Sequence, residues 1–351
     1  MAVRILLITP EFYGIEKAIK QVLEESGAEV IWIENKTLQL DFHGTRSKFK
    51  VFRKIYFSLL SPQKRYLRRE FKKAGNLRFD LIFSINAHII CRYLFRKLKS
   101  INPLLHSVLY LWDSFSMYNW NRELKLFNEV YTFDPEDSRK YQVTYKPNFY
   151  IKNSDKTNHN LNFDLFFAGK FSPRRLHTLD AILKLLRNRD INFMIKLWPQ
   201  NKILFHNYFM YRLLKLFHFE SFWVKNYILN FEVIERKLKR EYLVYDSLNY
   251  KELQNNMLCS NVVLDLPYQM QSGYTHRLIE ALANGKKVIT TNTGIAKESF
   301  YNPEQIHIID YQNPEIDCNW VKTRSFFPVD NYFSGLELSI WLKSIIHVGI
   351  A

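Results

Sequence analysis

One stretch of the chain, residues 271–292, groups the residue types that bind a phosphorylated ligand. Gly273 permits close backbone approach, and Thr275 is of the type that caps a helix. The free N–H groups of that helix's first turn favour a phosphate, to which Arg277 can add a bidentate charge. Glu280 lies one turn further on, where a carboxylate can accept hydrogen bonds from both hydroxyls of a ribose. These residues predict a nucleotide site.

A second cluster of the same chemical character begins the second half of the chain. An apolar run ends in Gly169 and Lys170, and Arg174 and Arg175 follow within five residues. Lys170, Arg174 and Arg175 could bind a negatively charged group. The alternative interpretation is that these basic residues lie at the start of a helix and are exposed to solvent.

Residues 273–288 resemble the donor-site motif of GT-B glycosyltransferases (glycosyltransferase group 1-like), especially in bacterial lipopolysaccharide, capsule and exopolysaccharide biosynthesis proteins. The resemblance implies that Glu280 binds the donor ribose, with Ser272 and Tyr274 in the matched loop. It also implies that Lys170, Arg174 and Arg175 neutralise the donor diphosphate as it departs, the step at which negative charge develops on the leaving group. Ser272 replaces the first glutamate of the motif and Lys287 replaces its proline, so retention or inversion at the sugar stays open. The alternative is a helix of this sequence that serves packing alone.

The same resemblance implies a hexosyl transfer from a nucleotide sugar, most often a UDP-sugar, to a lipid-linked glycan or polysaccharide acceptor. In similar families the nucleobase lies against the loop that precedes the helix before the motif, which implies Tyr245 and Leu248 here. Core packing is the alternative for both residues. A catalytically inactive sugar- or nucleotide-binding protein of the same fold is the alternative function.

Groups that could serve the acceptor lie in the first half of the chain. His88 and Asp113 each follow an apolar run, where a base at the carboxyl end of a strand could deprotonate the acceptor hydroxyl. A structural histidine and a helix N-cap are the alternatives. After the first predicted strand, Glu11, Tyr13 and Gly14 form the glycine-containing turn expected on the acceptor side, without the GxGxxG of a dinucleotide fold.

The sequence also indicates whether the protein uses a metal ion and whether its compartment is reducing. The other major glycosyltransferase architecture binds a metal ion through Asp-x-Asp, a motif that this chain lacks, so we expect no metal and no cofactor besides the nucleotide sugar. Three widely spaced cysteines, Cys91, Cys259 and Cys318, predict a reducing compartment and no structural zinc.

Two alternating β-α series are expected to position these groups. With 351 residues, we predict an α/β protein of the GT-B fold, in which two Rossmann-like domains turn parallel sheets toward a central cleft. The predicted acceptor domain covers residues 1–155 and the donor domain residues 156–330, with a helical insertion at about 204–238. A helix in residues 331–351 is expected to return to the first domain.

The segment from residue 46 to residue 78 carries twelve basic residues and one acidic residue, in a chain of net charge +16. Three interpretations are open: a solvated helical face, a nucleic-acid site without any known signature, or peripheral attachment to anionic lipid with aromatic side chains in the interface. We favour the third and expect no nucleic-acid partner. Since no apolar stretch is long enough to span a bilayer, we expect a cytoplasmic protein on the inner face of the plasma membrane.

Overall fold

The computed structural model describes residues 2–35, 62–74, 77–90, 92–153, 160–170, 173–187, 189–198, 242–244, 249–268 and 270–347. Its chain divides into two compact units. The first unit combines Met1–Lys152 with Gln269–Tyr274 and Gly335–Ala351, and the second combines Asn153–Tyr268 with Thr275–Ser334. The predicted insertion at 204–238 lies outside the described residues.

The first unit is built on a parallel sheet of six strands in the order β2-β1-β3-β4-β5-β6. The strands are β1 (Arg4–Thr9), β2 (Glu29–Glu34), β3 (Leu81–Ile85), β4 (His106–Leu111), β5 (Glu129–Thr132) and β6 (Thr144–Tyr145). The middle strands β1, β3 and β4 are buried along almost their whole length, as expected when helices cover both faces of a parallel sheet. The predicted wound sheet is therefore confirmed, and β6 is a short edge strand that its polar sequence did not reveal.

Within the described residues of this unit, five helices follow the strands in order: α1 (Ile15–Glu25), α2 (Pro62–Ala74), α3 (Arg92–Ile101), α4 (Asn121–Leu124) and α5 (Pro135–Tyr141). Helices α2 and α3 bury their apolar sides in one core with the sheet. On α2 this apolar side consists of Tyr66, Leu67 and Phe71. The expectation that aromatic residues of the basic segment enter a membrane interface is therefore wrong for Tyr66 and Phe71. Their burial in the protein core removes them from any interface.

The second unit repeats the plan with five parallel strands in the order β11-β10-β9-β7-β8. The strands are β7 (Phe163–Lys170), β8 (Phe193–Trp198), β9 (Ser260–Asp265), β10 (Lys287–Thr290) and β11 (Ile306–Ile308). The helices in the part of this unit that the structure describes are α6 (Pro173–Arg187), α7 (Tyr250–Leu258), α8 (His276–Ala283), α9 (Cys318–Lys322) and α10 (Asn331–Ser334), with a 3-10 turn at Thr293–Lys297. Gly285 follows α8 with a positive φ of 66°, so this glycine ends the helix as predicted.

The last helix, α11 (Leu338–Lys343), belongs to the first unit, as the predicted returning helix requires. The indole of Trp341 is fully buried, donates a hydrogen bond to the carbonyl of Pro147 at 2.8 Å and meets the ring of Tyr110 edge-on. Tyr110 alternates along β4 with Leu109 and Leu111, which lie in the core under α2 and α3. Helix α11 therefore covers the opposite face of the sheet, where it contacts α1.

Candidate functional site

Two arginines flank a glycine at the carboxyl ends of β7 and β9 in the second unit. A Cβ atom built on Gly169 would lie 3.2 Å from Nη2 of Arg277 and 3.3 Å from Nη1 of Arg175. Both guanidinium groups also lie near the ring of Phe167, at 4.9 Å for Arg277 and 6.0 Å for Arg175. The structure thus brings together three residues that the sequence predicted for the same anion site.

A buried carboxylate orients Arg277. Asp265, the last residue of β9, is 1% exposed and accepts a hydrogen bond from Arg277 Nη1 at 2.9 Å. The same carboxyl group accepts from the hydroxyls of Thr275 at 2.7 Å and Thr290 at 3.3 Å. Sequence reasoning missed Asp265, although an aspartate that ends an apolar run before Leu266 and Pro267 was a usable signal. Asp265 fixes the position of Arg277 and offsets part of its charge.

Arg175 is held by backbone carbonyls. Its Nε donates to the carbonyl of Leu266 at 3.0 Å, and its Nη1 donates to the carbonyl of Lys170 at 2.6 Å. Burial, and secondly the neighbouring charge of Arg277, lower the pKa of Arg175 from 12.5 to about 10. Because the Arg175 guanidinium is still charged at neutral pH, an anion bound beside it would be stabilised. The exposed Lys170 side chain lies at the same edge.

The N-terminus of α8 lies at this edge as well. Thr275 is its N-cap, and the threonine Oγ1 accepts from the amide of Leu278 at 3.1 Å, which confirms the predicted cap. The first turn of the helix therefore begins beside Asp265 and Arg277, where its amide groups favour a negative charge. Arg174 lies in the first turn of α6, and its side chain is outside what the structure describes.

The predicted ribose ligand, Glu280, is 6% exposed and accepts two hydrogen bonds from α7. The hydroxyl of Tyr250 and the Nε2 of Gln254, the latter at 2.7 Å, both donate to Oε1 of Glu280. Desolvation by burial raises the pKa of Glu280 to about 7, and the two hydrogen bonds act against this rise. A role of Glu280 in ribose binding stays a prediction. Both protein donors bind Oε1, so a ribose hydroxyl would have to bind Oε2 or replace Tyr250 or Gln254 on Oε1. Tyr245 and Leu248 lie outside the described residues.

Ser272 and Gly273, at the start of the motif, are part of the first unit. The buried carboxylate of Asp134 accepts from the amide of Ser272 at 2.8 Å, from its hydroxyl, and from the amide of Gly273 at 3.4 Å. A Cβ atom at Gly273 would lie 2.4 Å from the carbonyl oxygen of Phe133. The close backbone approach predicted for Gly273 is therefore made to Phe133, an apolar neighbour within its own unit.

Tyr274 completes this loop inside the first unit. Its side chain is 3% exposed, and its carbonyl accepts from Nδ2 of Asn148 at 2.8 Å. Asn148 in turn accepts from the hydroxyl of Tyr110 at 2.8 Å. The loop is thus anchored by a buried polar network, a placement that its position in the sequence motif did not reveal.

His88 and Asp113 follow the neighbouring strands β3 and β4 at the carboxyl edge of the first sheet, as predicted. Asn86, which has a positive φ of 55°, donates from Nδ2 to Oδ2 of Asp113 at 2.7 Å. The ring of His88 lies 4.7 Å from Tyr118 and 5.1 Å from Trp120. The edge therefore combines a carboxylate and an imidazole with aromatic surface.

The loop after β1 lies at the carboxyl end of the adjacent strand. Tyr13 and Gly14 have positive φ values of 58° and 92°, which is uncommon for a bulky residue such as tyrosine. The ring of Phe12 lies 4.4 Å from that of Tyr13 and 5.4 Å from that of Trp112. Glu11 is exposed beside them. Strained backbone of this kind concentrates at functional loops.

Comparison with known proteins identifies the fold. Neither a protein-family model nor a curated protein matches the sequence. Among solved structures, an α,α-trehalose-phosphate synthase (UDP-forming) from Burkholderia vietnamiensis aligns with a TM-score of 0.52 at 11% identity, over 98% of each chain. The N-terminal domain of Candida albicans trehalose-6-phosphate phosphatase gives 0.52 at 9% identity, over 98% of this chain and 96% of that one.

A lipopolysaccharide outer core galactosyltransferase, WaaB in its apo form, gives a lower TM-score of 0.41 at 10% identity, over 82% of this chain and 80% of that one. Two parallel sheets of six and five strands and the full-length alignments define the class: the chain has the GT-B glycosyltransferase fold. The predicted fold is confirmed.

Proposed function

We propose that the chain is a glycosyltransferase that binds a nucleotide sugar at the carboxyl edge of the second sheet. The observation that carries the proposal is the convergence of Arg175 and Arg277 on the space above Gly169. Two fixed guanidinium groups beside a helix N-terminus suit the diphosphate of a nucleotide sugar. Because Asp265 and backbone carbonyls already hold both arginines, they need little rearrangement when charge develops on the leaving nucleotide.

The acceptor would bind at the carboxyl edge of the first sheet. Asp113 is the better base of the two predicted, because Asn86 orients its carboxylate at the carboxyl edge of the sheet. His88, between the rings of Tyr118 and Trp120, suits contact with the apolar face of a sugar.

The finer assignments belong to the same proposal. A UDP-sugar as donor, a lipid-linked glycan as acceptor, a role in cell-surface polysaccharide synthesis and attachment to the inner face of the plasma membrane extend the sequence resemblance. Charge neutralisation by Lys170, Arg175 and Arg277 supplies the stabilisation that a metal ion gives in other transferases, so we expect activity to survive EDTA. Among the described residues no helix is long and apolar enough to span a membrane.

A nucleotide screen tests the proposal directly. UDP, GDP, CMP and dTDP and their sugars are added to the purified protein, and we expect one diphosphate to raise the melting temperature by about 3 °C or more. Arg277→Gln should weaken the binding of that diphosphate by roughly tenfold to hundredfold, since a charge-assisted hydrogen bond contributes about 1.5–3 kcal/mol. Arg189→Gln, an exposed arginine on the same unit, is the matched control. No response to any nucleotide would contradict the proposal.

Two observations favour a second function, that of a catalytically inactive binding protein. Glu280 already has protein donors on its carboxylate, and the fold also occurs in the N-terminal domain of a protein named as a phosphatase. Slow hydrolysis of the nucleotide sugar that binds, at a rate reduced by Asp113→Asn, would favour the enzyme. Binding without any turnover or transfer would favour the binding protein.

A further inference from the structure

The two helical layers of the first sheet differ in charge. Helix α1 carries Lys17 and Lys20 together with Glu16, Glu24 and Glu25, and Lys20 pairs with Glu24 at 3.0 Å. The layer on the opposite face, made of α2, α3 and the segment from α4 to residue 127, is strongly basic. We call its outer surface the basic face. Its exposed cations are Arg65, Arg68, Arg69, Lys72, Arg92, Arg96, Lys99, Arg122 and Lys125.

Acidic groups do little to offset this charge. On the described parts of the basic face, the carboxylates are Glu70 and Glu123. Glu70 is bound by Arg69 at 3.1 Å, and burial raises the pKa of Glu123. Helices α2 and α3 are neighbours, because the guanidinium of Arg68 lies 5.6 Å from the ring of Tyr93. The cations of the two helices therefore form one continuous surface.

A hollow of about 500 Å³ opens in this face between α3 and the residues after α4. We call it the basic hollow. Four cations line it, Arg92, Arg96, Lys99 and Lys125, and Phe95 and Leu126 contribute apolar lining. None of the four cations forms an ion pair with any described residue. A concave site with four unpaired cations suits a phosphate group.

We propose that the basic hollow binds the phosphate of an anionic lipid headgroup and so holds the first unit on an anionic membrane surface. The proposal deepens the membrane attachment within the proposed function and moves its centre to α3, outside the segment 46–78. Attachment is mainly electrostatic, because Tyr66 and Phe71 of α2 are buried in the core and cannot enter the membrane. Leu104, which follows α3 and is 85% exposed, supplies an apolar side chain for the interface.

A nucleic acid is the other polyanion that a basic surface could take. Its binding without sequence preference relies on exposed aromatic rings on which bases stack. On the described part of the basic face the rings of Tyr66, Phe71 and Phe95 are buried, Tyr93 lies under Arg68, and Phe127 is partly buried against Phe95. The composition of the surface therefore favours lipid phosphates.

Vesicle sedimentation of the full chain tests the inference. The quadruple variant Arg92→Gln, Arg96→Gln, Lys99→Gln and Lys125→Gln is compared with a control of equal charge, Lys17→Gln, Lys20→Gln, Arg139→Gln and Lys140→Gln. On vesicles of phosphatidylcholine with phosphatidylglycerol we expect the hollow variant to lose affinity by about tenfold or more and the control by about threefold or less. Binding of the wild type should fall steeply with added salt.

Three outcomes would overturn the inference: equal losses in both variants, wild-type binding to pure phosphatidylcholine of the same strength, or a hollow-dependent affinity for a single-stranded oligonucleotide that exceeds the affinity for vesicles. The response of the hollow variant to nucleotide diphosphates serves as the independent readout. It should match the wild type, because the donor residues lie in the other unit. If vesicle binding alone fails, the glycosyltransferase proposal is unaffected. If nucleotide binding alone fails, the membrane inference is unaffected.

Discussion

The two halves of one sequence motif contribute to different units of the molecule. Ser272 and Gly273 are held in the first unit by the carboxylate of Asp134, whereas Thr275 and Arg277 are held in the second unit by the carboxylate of Asp265. Both aspartates are 1% exposed. Beside Asp265 two arginines face a shared space, and beside Asp134 the loop is packed against Phe133. The first half is therefore a structural anchor and the second half is the candidate ligand site.

Removal of Asp134 should have the largest effect on stability. Asp134→Ala removes the N-cap of α5, where the carboxylate accepts from the amides of Glu136 and Asp137, together with its hydrogen bonds to Ser272 and Gly273. We expect a loss of about 4 kcal/mol in the free energy of unfolding, measured by urea denaturation. Binding of a nucleotide diphosphate to the protein that remains folded should be unchanged.

The control for this variant is Asp317→Ala. Asp317 caps α9 through one amide, that of Asn319, so its removal should cost about 1 kcal/mol. If Asp134→Ala costs no more than the control, or weakens nucleotide binding as strongly as Arg277→Gln, the assignment of an anchoring role to the first half is wrong.

Glu280 gives the second half of the motif a pH-dependent contribution to stability. Its pKa is about 7 in the folded protein against an ordinary 4.5, so the folded state holds the proton more tightly. The resulting stabilisation is fully present below about pH 4.5 and is lost as the pH rises through 7. This difference in pKa between the folded and the unfolded protein corresponds to roughly 3 kcal/mol in the free energy of unfolding.

Glu280→Gln keeps the shape of the side chain and removes its titration. Between pH 5 and pH 8 the wild type should therefore lose stability relative to Glu280→Gln, as seen in urea denaturation at both pH values. Glu252→Gln, an exposed glutamate on α7, should follow the wild type at both. Parallel behaviour of wild type and Glu280→Gln would show that Glu280 titrates normally, and the buried arrangement with Tyr250 and Gln254 would then be wrong.

The sequence predicted the parts of this arrangement that depend on local pattern. Apolar runs marked the long strands of both sheets. Gly169, Arg175, Thr275 and Arg277 were predicted to serve one ligand and do lie close together, because each is at a strand end or a helix start, and their role in ligand binding stays a prediction. Local pattern also predicts that a threonine caps a helix and that a glycine ends one.

Contacts between residues far apart in the chain could not be predicted in this way. The bond from Asp134 to Ser272 spans 138 residues, and the bonds from Glu280 to Tyr250 and Gln254 span 30 and 26. Such pairings follow from tertiary packing, which a single sequence does not display. For the same reason the aromatic residues of α2 suggested a membrane interface until the packing of Tyr66 and Phe71 placed them in the core.

The smallest expected effect is that of a substitution at Gly169 in the second unit. A side chain there would change the positions of the groups that contact the ligand without changing the charge of the site. A Cβ atom at Gly169 would lie 3.1 Å from Cζ of Phe167 and nearly as close to the ends of the two arginines. The arginine ends can move by a few tenths of an ångström, so Gly169→Ala should barely change stability. We expect the affinity for the nucleotide diphosphate, measured by calorimetry, to fall by about fivefold, or roughly 1 kcal/mol.

Substitutions at two other glycines serve as controls for Gly169→Ala. At Gly335 a Cβ atom would meet nothing within 4 Å, so Gly335→Ala should leave both affinity and stability unchanged. At Gly273 the Cβ atom would lie 2.4 Å from a backbone carbonyl that cannot yield, so Gly273→Ala should lower stability by about 2 kcal/mol or more without a specific loss of nucleotide affinity in the folded protein. If Gly169→Ala binds the nucleotide as well as Gly335→Ala does, the space above Gly169 is not where the diphosphate lies. The division of the motif into an anchor and a ligand site would then lose its second half.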